Sequence, residues 1–362
     1  MMNIIFRVDA SEQIGTGHVM RCITLAQQLQ AIPDHVQITF ICRELKGNLI
    51  SYIQHQDMQV EKLTSIKLST HESEYAWYQE NWQRDVSEVS EKLGGQSIDL
   101  LVVDHYGLEV NWERMMKKHV KRLMVIDDLA DRSHDCDLLL DQNIQADPER
   151  YKGLVPDRCK QLLGTDYLLL REEFIKLADK VQIRKGDIKN ILVFFGGSDP
   201  RHLTLKTLDI LQKIPFQDCY IHVVVGSSNP QKSQIKRKCR EREEYLYYCQ
   251  IDYIAQLMNQ ADLAIGAGGA TTWERIFLGI PSLTVVTADN QLELTKIIEK
   301  EGLTICLGSH PNTIEITLKK ALENLCKQPH IIQEMSKKSL QFLDKDRIRS
   351  YPVRKAIMEV LK

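Results

Sequence analysis

The chain reads as α/β, with two Rossmann-like doubly wound domains facing across a cleft. Short continuous apolar runs end in acids or glycines, and helical patterns lie between them. A strand, glycine turn and helix at 190–211 also restart the unit that opens the chain. Strands buried on both faces look like this, and their alternation with helices implies parallel sheets. At 362 residues there is room for two domains, each with a full core. Hydrophobic content of 43% and charged content of 27% are those of a soluble globular protein.

The first element is the run Ile4-Ile5-Phe6, which passes through the glycine turn Gly15-Thr16-Gly17 into a helical pattern (Met20, Ile23, Leu25, Ala26, Leu29). A second strand at 36–42, a helix from 44 to about 55 and a strand at Gln59–Leu63 follow. Residues 67–96 are charged and hold Trp77, Tyr78 and Trp82; an exposed loop plus a helix is expected there. Strands at 100–104, 123–128 and 138–141 complete the first domain, taken as 1–170, with 171–188 as linker. The second domain, 189–362, has strands at 190–195, 220–225, 246–251, 263–265 and 282–286. Two helical stretches close it, and the last helices are expected to pack back on the first domain.

In such sheets ligands sit beyond the carboxyl ends of the strands. His18 opens a helix just after a glycine turn, with Arg21 on the same face at i, i+3 spacing. A helix start and a neighbouring cation both disfavour imidazolium, so His18 is expected neutral and able to accept a proton. Packing or capping is the bland alternative for the same residue. Cys22, at i+4 from His18, raises a Cys–His nucleophile but also continues the apolar pattern and reads as core. Asp104, His105, Asp127 and Asp128 close strands, where acids cap the helices that follow; no tight metal-ligand spacing is present, and no metal is expected.

Three glycine loops, 15–17, 196–198 and 266–269, have the form that holds phosphate through backbone N–H groups. Each alone reads equally as a tight connection. Thr271-x-x-Glu274 is a capping box, and Glu274 is also suited to accept from a ribose diol. Gly15-x-Gly17-x-x-Met20 lacks the third glycine of a dinucleotide fingerprint, which argues against NAD. A net charge of -2 gives no case for nucleic acid or a membrane. Nine scattered cysteines without a C-x-x-C pair, and an N-terminus that meets charge within its first residues, fit a cytoplasmic protein. No cofactor is expected, and a monomer is the working expectation.

Several motifs together resemble one family. They are Arg7-x-Asp9-Ala10-Ser11, Ile14-Gly15-x-Gly17-His18-x-x-Arg21-Cys22, Asp104-x-Tyr106, Leu169-Leu170-Arg171-Glu172-Glu173-Phe174 and Gly196-Gly197-Ser198-Asp199-Pro200. Gly266-Ala267-Gly268-Gly269-x-Thr271-Thr272-Trp273-Glu274-Arg275 and Asn290-Gln291 complete them. The chain is similar over nearly its whole length to the UDP-2,4-diacetamido-2,4,6-trideoxy-β-L-altropyranose hydrolases of pseudaminic acid biosynthesis, and more distantly to MurG-like glycosyltransferases of the GT-B fold. The resemblance implies metal-independent, inverting hydrolysis that releases UDP. His18 would activate water, while Tyr106 and Asn290 would hold the sugar or the water. Gly15, Gly17 and Arg21 would line the sugar side. Gly197, Ser198, Asp199, Gly268, Gly269, Thr271, Thr272, Glu274 and Gln291 would hold the nucleotide. Competing readings are a glycosyltransferase on the same fold and a non-catalytic nucleotide-sugar binder.

Overall fold

A computed structural model describes residues 1–33, 36–68, 73–216, 218–309 and 311–362. They form two α/β units, Met1–Leu169 with Asp346–Lys362, and Leu170–Lys345. In the first unit, β1 (Met2–Val8), β2 (Val36–Arg43), β3 (Gln59–Leu63), β4 (Ile98–Asp104), β5 (Val120–Ile126), β6 (Leu138–Asp141) and β7 (Lys160–Leu163) make one parallel sheet. Its order is β3-β2-β1-β4-β5-β6-β7. In the second, β8 (Asn190–Phe194), β9 (Tyr220–Val225), β10 (Tyr245–Cys249), β11 (Leu263–Ala267), β12 (Ser282–Val285) and β13 (Ile305–Cys306) order as β10-β9-β8-β11-β12-β13. Strand order therefore reverses between β1 and β4 in one unit and between β8 and β11 in the other. These are the switch points at which open sheets bind ligands.

The pleat of the strands explains the layers. Ile4, Phe6, Val8, Leu100 and Val102 point to one face, against Cys22, Leu25, Ala26 and Leu29 of the Gly17–Gln30 helix and Val353, Ala356 and Ile357 of the Pro352–Val360 helix. Ile5, Leu101 and Val103 point to the other, against Trp77, Val86, Val89 and Trp112. The second unit packs Ile191, Val193, Ile265 and Leu283 under Leu318, Leu322 and Leu325. Each such fully buried side chain contributes about 1.5–3 kcal/mol of transfer free energy.

Several elements differ from expectation, each for a local reason. The helix expected over 44–55 is confined to Ile50–Gln54, because Gly47 turns the chain at φ +81 and Asn48 bonds back to the Leu45 carbonyl. Segment 67–96 forms two helices, Glu74–Glu80 and Trp82–Leu93, with Trp77 and Tyr78 buried rather than exposed; residues 69–72 of the expected loop lie outside the described residues. The segment read as a linker, 171–188, belongs to the second unit and contains the short helix Glu172–Ile175. Its buried Arg184 donates to the carbonyls of Gln182, Asn259, Ala261 and Leu278, which fixes it there. Four helices close the chain where two were expected, because Pro329 and Pro352 each start a new one. Strands β7 and β13 were missed. Both lie at sheet edges, where a strand needs no continuous apolar run.

A buried ionic knot ties the helix pair to the sheet. Asp85 accepts from Arg7 (2.7 Å), Arg43 (2.7 Å) and the Trp112 indole (2.9 Å). Burial pushes the Asp85 carboxyl up, but Arg7 and then Arg43 hold it at about 2. Asp9 completes the knot, accepting from Tyr78 and the Arg43 backbone N–H.

The glycine turn after β8 is in close backbone contact with Gly226. Gly226 N donates to the Gly197 carbonyl at 3.1 Å, and a Cβ on Gly226 would fall 2.5 Å from that oxygen. Gly226→Ala is expected to cost about 1–3 kcal/mol, because neither backbone can retreat. Urea denaturation of the two proteins measures it.

Candidate active site

The first unit gathers its functional side chains at the β1/β4 switch point. Parallel pairing sets Val8 beside Asp104, so the loop after β1 and the end of β4 are neighbours. That loop is pinned before the helix begins. Ser11 Oγ accepts from the N–H groups of Gln13 and Ile14 and donates to Glu74, while Gly15 N returns to the Ser11 carbonyl. Gly15 takes φ +82, a conformation that disfavours any side chain. Gly17 then starts the helix that carries His18 and Arg21.

His18 Nδ1 lies 2.6 Å from Asp104 Oδ1. Arg21 grips the same carboxylate from two nitrogens, Nε to Oδ2 at 2.5 Å and Nη2 to Oδ1 at 2.7 Å. Asp104 is wholly buried. Burial pushes its carboxyl up, but Arg21 and then His18 pull it well below the usual carboxylate range, so it is an anion. The network therefore assigns the Nδ1 proton to the bond with Asp104, and the 3.2 Å approach of Arg21 Nη2 to Nδ1 is a contact between donors. The free lone pair of the ring is on Nε2. Arg21 also reaches Asp128 (3.0 Å), and Tyr106 OH donates to the other Asp128 oxygen at 2.6 Å. The Tyr106 ring stands edge-on to His18 with centroids 4.6 Å apart. With His18 neutral, the cluster of Asp104, Asp128, Arg21 and His18 carries one excess negative charge; a proton taken up on His18 balances it.

His18, Arg21 and Tyr106, singled out in the sequence, are brought together here by Asp104 and Asp128, which the sequence marks only as strand-closing acids. The sequence also sets Arg21 against imidazolium without the opposing carboxylate. Only the strand order, which brings β4 beside β1, supplies that partner. Cys22 is core: its thiol is buried 3.6 Å from Asp104, and burial with that carboxylate pushes it well above a reactive range. Among the described residues no cluster of His, Cys, Asp or Glu suits a metal ion.

The second unit gathers the remaining candidates at the ends of β8, β11 and β12. Gly268 and Gly269 lie against Gln291, since a Cβ on Gly268 would meet Gln291 side-chain atoms at 3.4 Å and Thr295 Oγ1 at 2.7 Å. Gln291 in turn accepts from Thr287 N and Oγ1. Asn290 begins the Asn290–Lys300 helix and is exposed. Gly197 and Ser198 form the turn after β8, and Asp199 closes it by accepting from Leu203 N (2.9 Å) and Thr204 N (2.8 Å). Thr271 and Thr272 open the Thr271–Phe277 helix. The capping box is not formed: no side chain caps that helix, and Glu274 Oε1 accepts from Arg171 Nε at 2.8 Å. Glu274 Oε2 is buried without a partner. Arg171 lies in the motif at 169–174, and its separation of 103 residues from Glu274 hides the pairing from local spacing.

Comparison with known proteins agrees with this fold. Residues 191–350 match the Glycosyltransferase family 28 C-terminal domain. The chain is 29% identical over 306 residues to the UDP-2,4-diacetamido-2,4,6-trideoxy-beta-L-altropyranose hydrolase of Campylobacter jejuni, covering 84% of this chain and 98% of that protein. In structure it is similar to Acinetobacter baumannii MurG (TM-score 0.60, 13% identity, 99% and 100% of the two chains). It is also similar to Phytolacca americana UGT2, solved with UDP-2fluoro-glucose and pterostilbene (TM-score 0.66, 10% identity, 100% of both chains). At these identities the structural likeness concerns the fold, which is the two-unit parallel-sheet fold of the GT-B glycosyltransferases.

One neighbour of the site titrates in an accessible range. His134, buried, sits 2.7 Å from Glu113 and 3.9 Å from Asp127, the residue before Asp128. Burial pushes its imidazolium down, but Asp127 and Glu113 outweigh that and raise its pKa to about 9. The folded value lies above the unfolded one of about 6.5, so the stabilisation is complete below about 6.5 and is lost as pH rises through about 9. Denaturation midpoints between pH 6.5 and 9.5 should fall by the equivalent of about 3 kcal/mol, and His134→Gln should flatten that slope.

Proposed function

We propose that this protein is a hydrolase that releases UDP from a nucleotide-linked sugar, with His18 as the base that activates water. The observation that carries this reading is the His18–Asp104 pair. Asp104 accepts the hydrogen bond of Nδ1–H, which leaves Nε2 to accept a proton from water, and the charge surplus around His18 is cancelled when it does. The water oxygen attacks the anomeric carbon from the face opposite the nucleotide, the bond to the diphosphate oxygen breaks, and UDP departs with the electron pair. Inversion follows from a single displacement. UDP is a good leaving group, so neutralising its developing charge is enough and no strong general acid is needed.

Under this reading Tyr106 and Asn290 hold the sugar or the water, and Gly15, Gly17 and Arg21 shape that side. Tyr106 donates its hydroxyl hydrogen bond to Asp128, so toward a substrate its oxygen is suited to accept from an N–H or O–H donor. The second unit binds the UDP: Gly197, Ser198 and Asp199 form one phosphate-facing turn and Gly268, Gly269, Thr271 and Thr272 the other. Gln291 braces the second turn, and the unpartnered Oε2 of Glu274 accepts from the ribose. The Campylobacter jejuni relative makes UDP-2,4-diacetamido-2,4,6-trideoxy-β-L-altropyranose the first substrate to test. That choice sets the reaction within pseudaminic acid biosynthesis. Nine free cysteines fit a reducing cytosol as its location. A second reading, transfer of the sugar to an acceptor, is favoured by the glycosyltransferase family 28 match over residues 191–350.

The two readings separate in one assay. Incubated with that substrate and no acceptor, the enzyme should release UDP; turnover only on addition of an acceptor would leave the transferase. His18→Ala should lower the rate about 10²–10⁴-fold while UDP binding by calorimetry persists. Asp104→Asn should lower kcat to a similar degree with little change in KM, because an amide can donate to Nδ1 and force the proton onto Nε2. A variant that retained wild-type kcat would remove Asp104 from the mechanism.

A further inference from the structure

The second unit holds a buried cation that makes no salt bridge among the described residues: Arg275, which is 2% exposed. Its Nη2 donates to the Ala267 carbonyl (2.9 Å) and to Thr272 Oγ1 (3.0 Å), while Nε is buried without a partner. The nearest acid in sequence, Glu274, is already engaged by Arg171. A buried charge left unpaired is costly, and native structures keep one where it does something a neutral residue cannot.

Its position says what that is. Arg275 lies beneath the loop after β11, at the point where strand order reverses between β8 and β11. A Cβ on Gly266 would fall 2.6 Å from Arg275 Nη1 and 2.4 Å from the Phe194 carbonyl at the end of β8. The guanidinium therefore packs against the ends of the two central strands, next to the glycine turns that follow both. We propose that Arg275 is a positioning residue for an anionic ligand: its buried charge and its grip on Ala267 preset the β11 loop to receive the diphosphate of a nucleotide. The proposal rests on the reading of this unit as the UDP-binding part.

Two properties follow from a buried guanidinium without a salt bridge. The field of the charge is screened little by water, so it favours phosphate over an uncharged ligand. Without ligand, the charge is a burden on the fold. Replacing it with an apolar residue of similar length should not lower the melting temperature, whereas a purely structural arginine would be missed. Burial lowers the pKa of Arg275 to about 10, and the nearby Glu274 carboxylate offsets that only in part.

Calorimetric titration of the full chain with UDP, uridine and inorganic pyrophosphate tests this, on wild type, Arg275→Met and Arg275→Lys, alongside thermal melts. Arg275→Met should bind UDP about 10- to 100-fold more weakly, with uridine affinity unchanged and no fall in melting temperature. Arg275→Lys keeps the charge but cannot span both acceptors, and should lie between. Equal losses for UDP and uridine, or no loss for UDP, overturn the proposal. If Arg275→Met does not fold, the Arg275→Lys ratio of UDP to uridine decides by the same criterion. Arg275-dependent binding of pyrophosphate without UDP binding would uphold the anion site and overturn the nucleotide reading; a wild type that binds neither overturns both.

Discussion

The buried carboxylate of Asp104 is the constraint on which the first unit's chemistry depends. A lone carboxylate at the end of β4 would be too costly to keep ionised. Arg21 resolves that cost with a two-pronged grip, and the remaining acceptor capacity is given to His18 Nδ1. Three consequences follow from the one group. It fixes the histidine tautomer, holds the ring against Tyr106, and fastens the first turn of the Gly17–Gln30 helix to the sheet. Asp128 repeats the pattern one strand further, joining Arg21 to Tyr106. The side chains are thus fixed by one another through hydrogen bonds and ion pairs.

The two units prepare their switch points with opposite signs of charge. Around His18 two carboxylates face one guanidinium. Under the β11 loop one guanidinium stands without a salt bridge among the described residues. The first arrangement suits accepting a proton, and the second suits receiving a polyanion. The same strand–loop–helix unit has been put to different electrostatic ends by the residues just beyond its strands, which is how one architecture hosts unlike tasks.

How much of this could be read from the sequence depended on where the information sat. Central strands such as β1, β4, β8 and β11 are buried on both faces, so their apolar runs are unmistakable; the edge strands β7 and β13 carry half-polar runs and escaped notice. His18, Arg21 and the glycine turns were legible because local spacing and turn chemistry mark them. The partners of those residues were not. Asp104 lies 86 residues from His18, and Arg171 lies 103 residues from Glu274. Such pairings are decided by strand order and packing, to which periodicity is blind. The aromatic segment holding Trp77 and Tyr78 misled for a related reason. Its charged residues suggested solvent, yet Asp85 is buried because Arg7 and Arg43 wait for it beneath.

The first unit is discontinuous in the chain, since Asp346–Lys362 rejoins Met1–Leu169. That has a bearing on biosynthesis. Val353, Ala356 and Ile357 cover the same apolar face as the Gly17–Gln30 helix, and they are made only after the second unit, which ends at Lys345. Throughout translation the N-terminal sheet therefore carries an uncovered strip of core, a target for chaperones and a place where a prematurely ended chain would aggregate. The Pro352–Val360 helix acts as a checkpoint on what precedes it, because the half that bears His18 closes only when the second unit has been made.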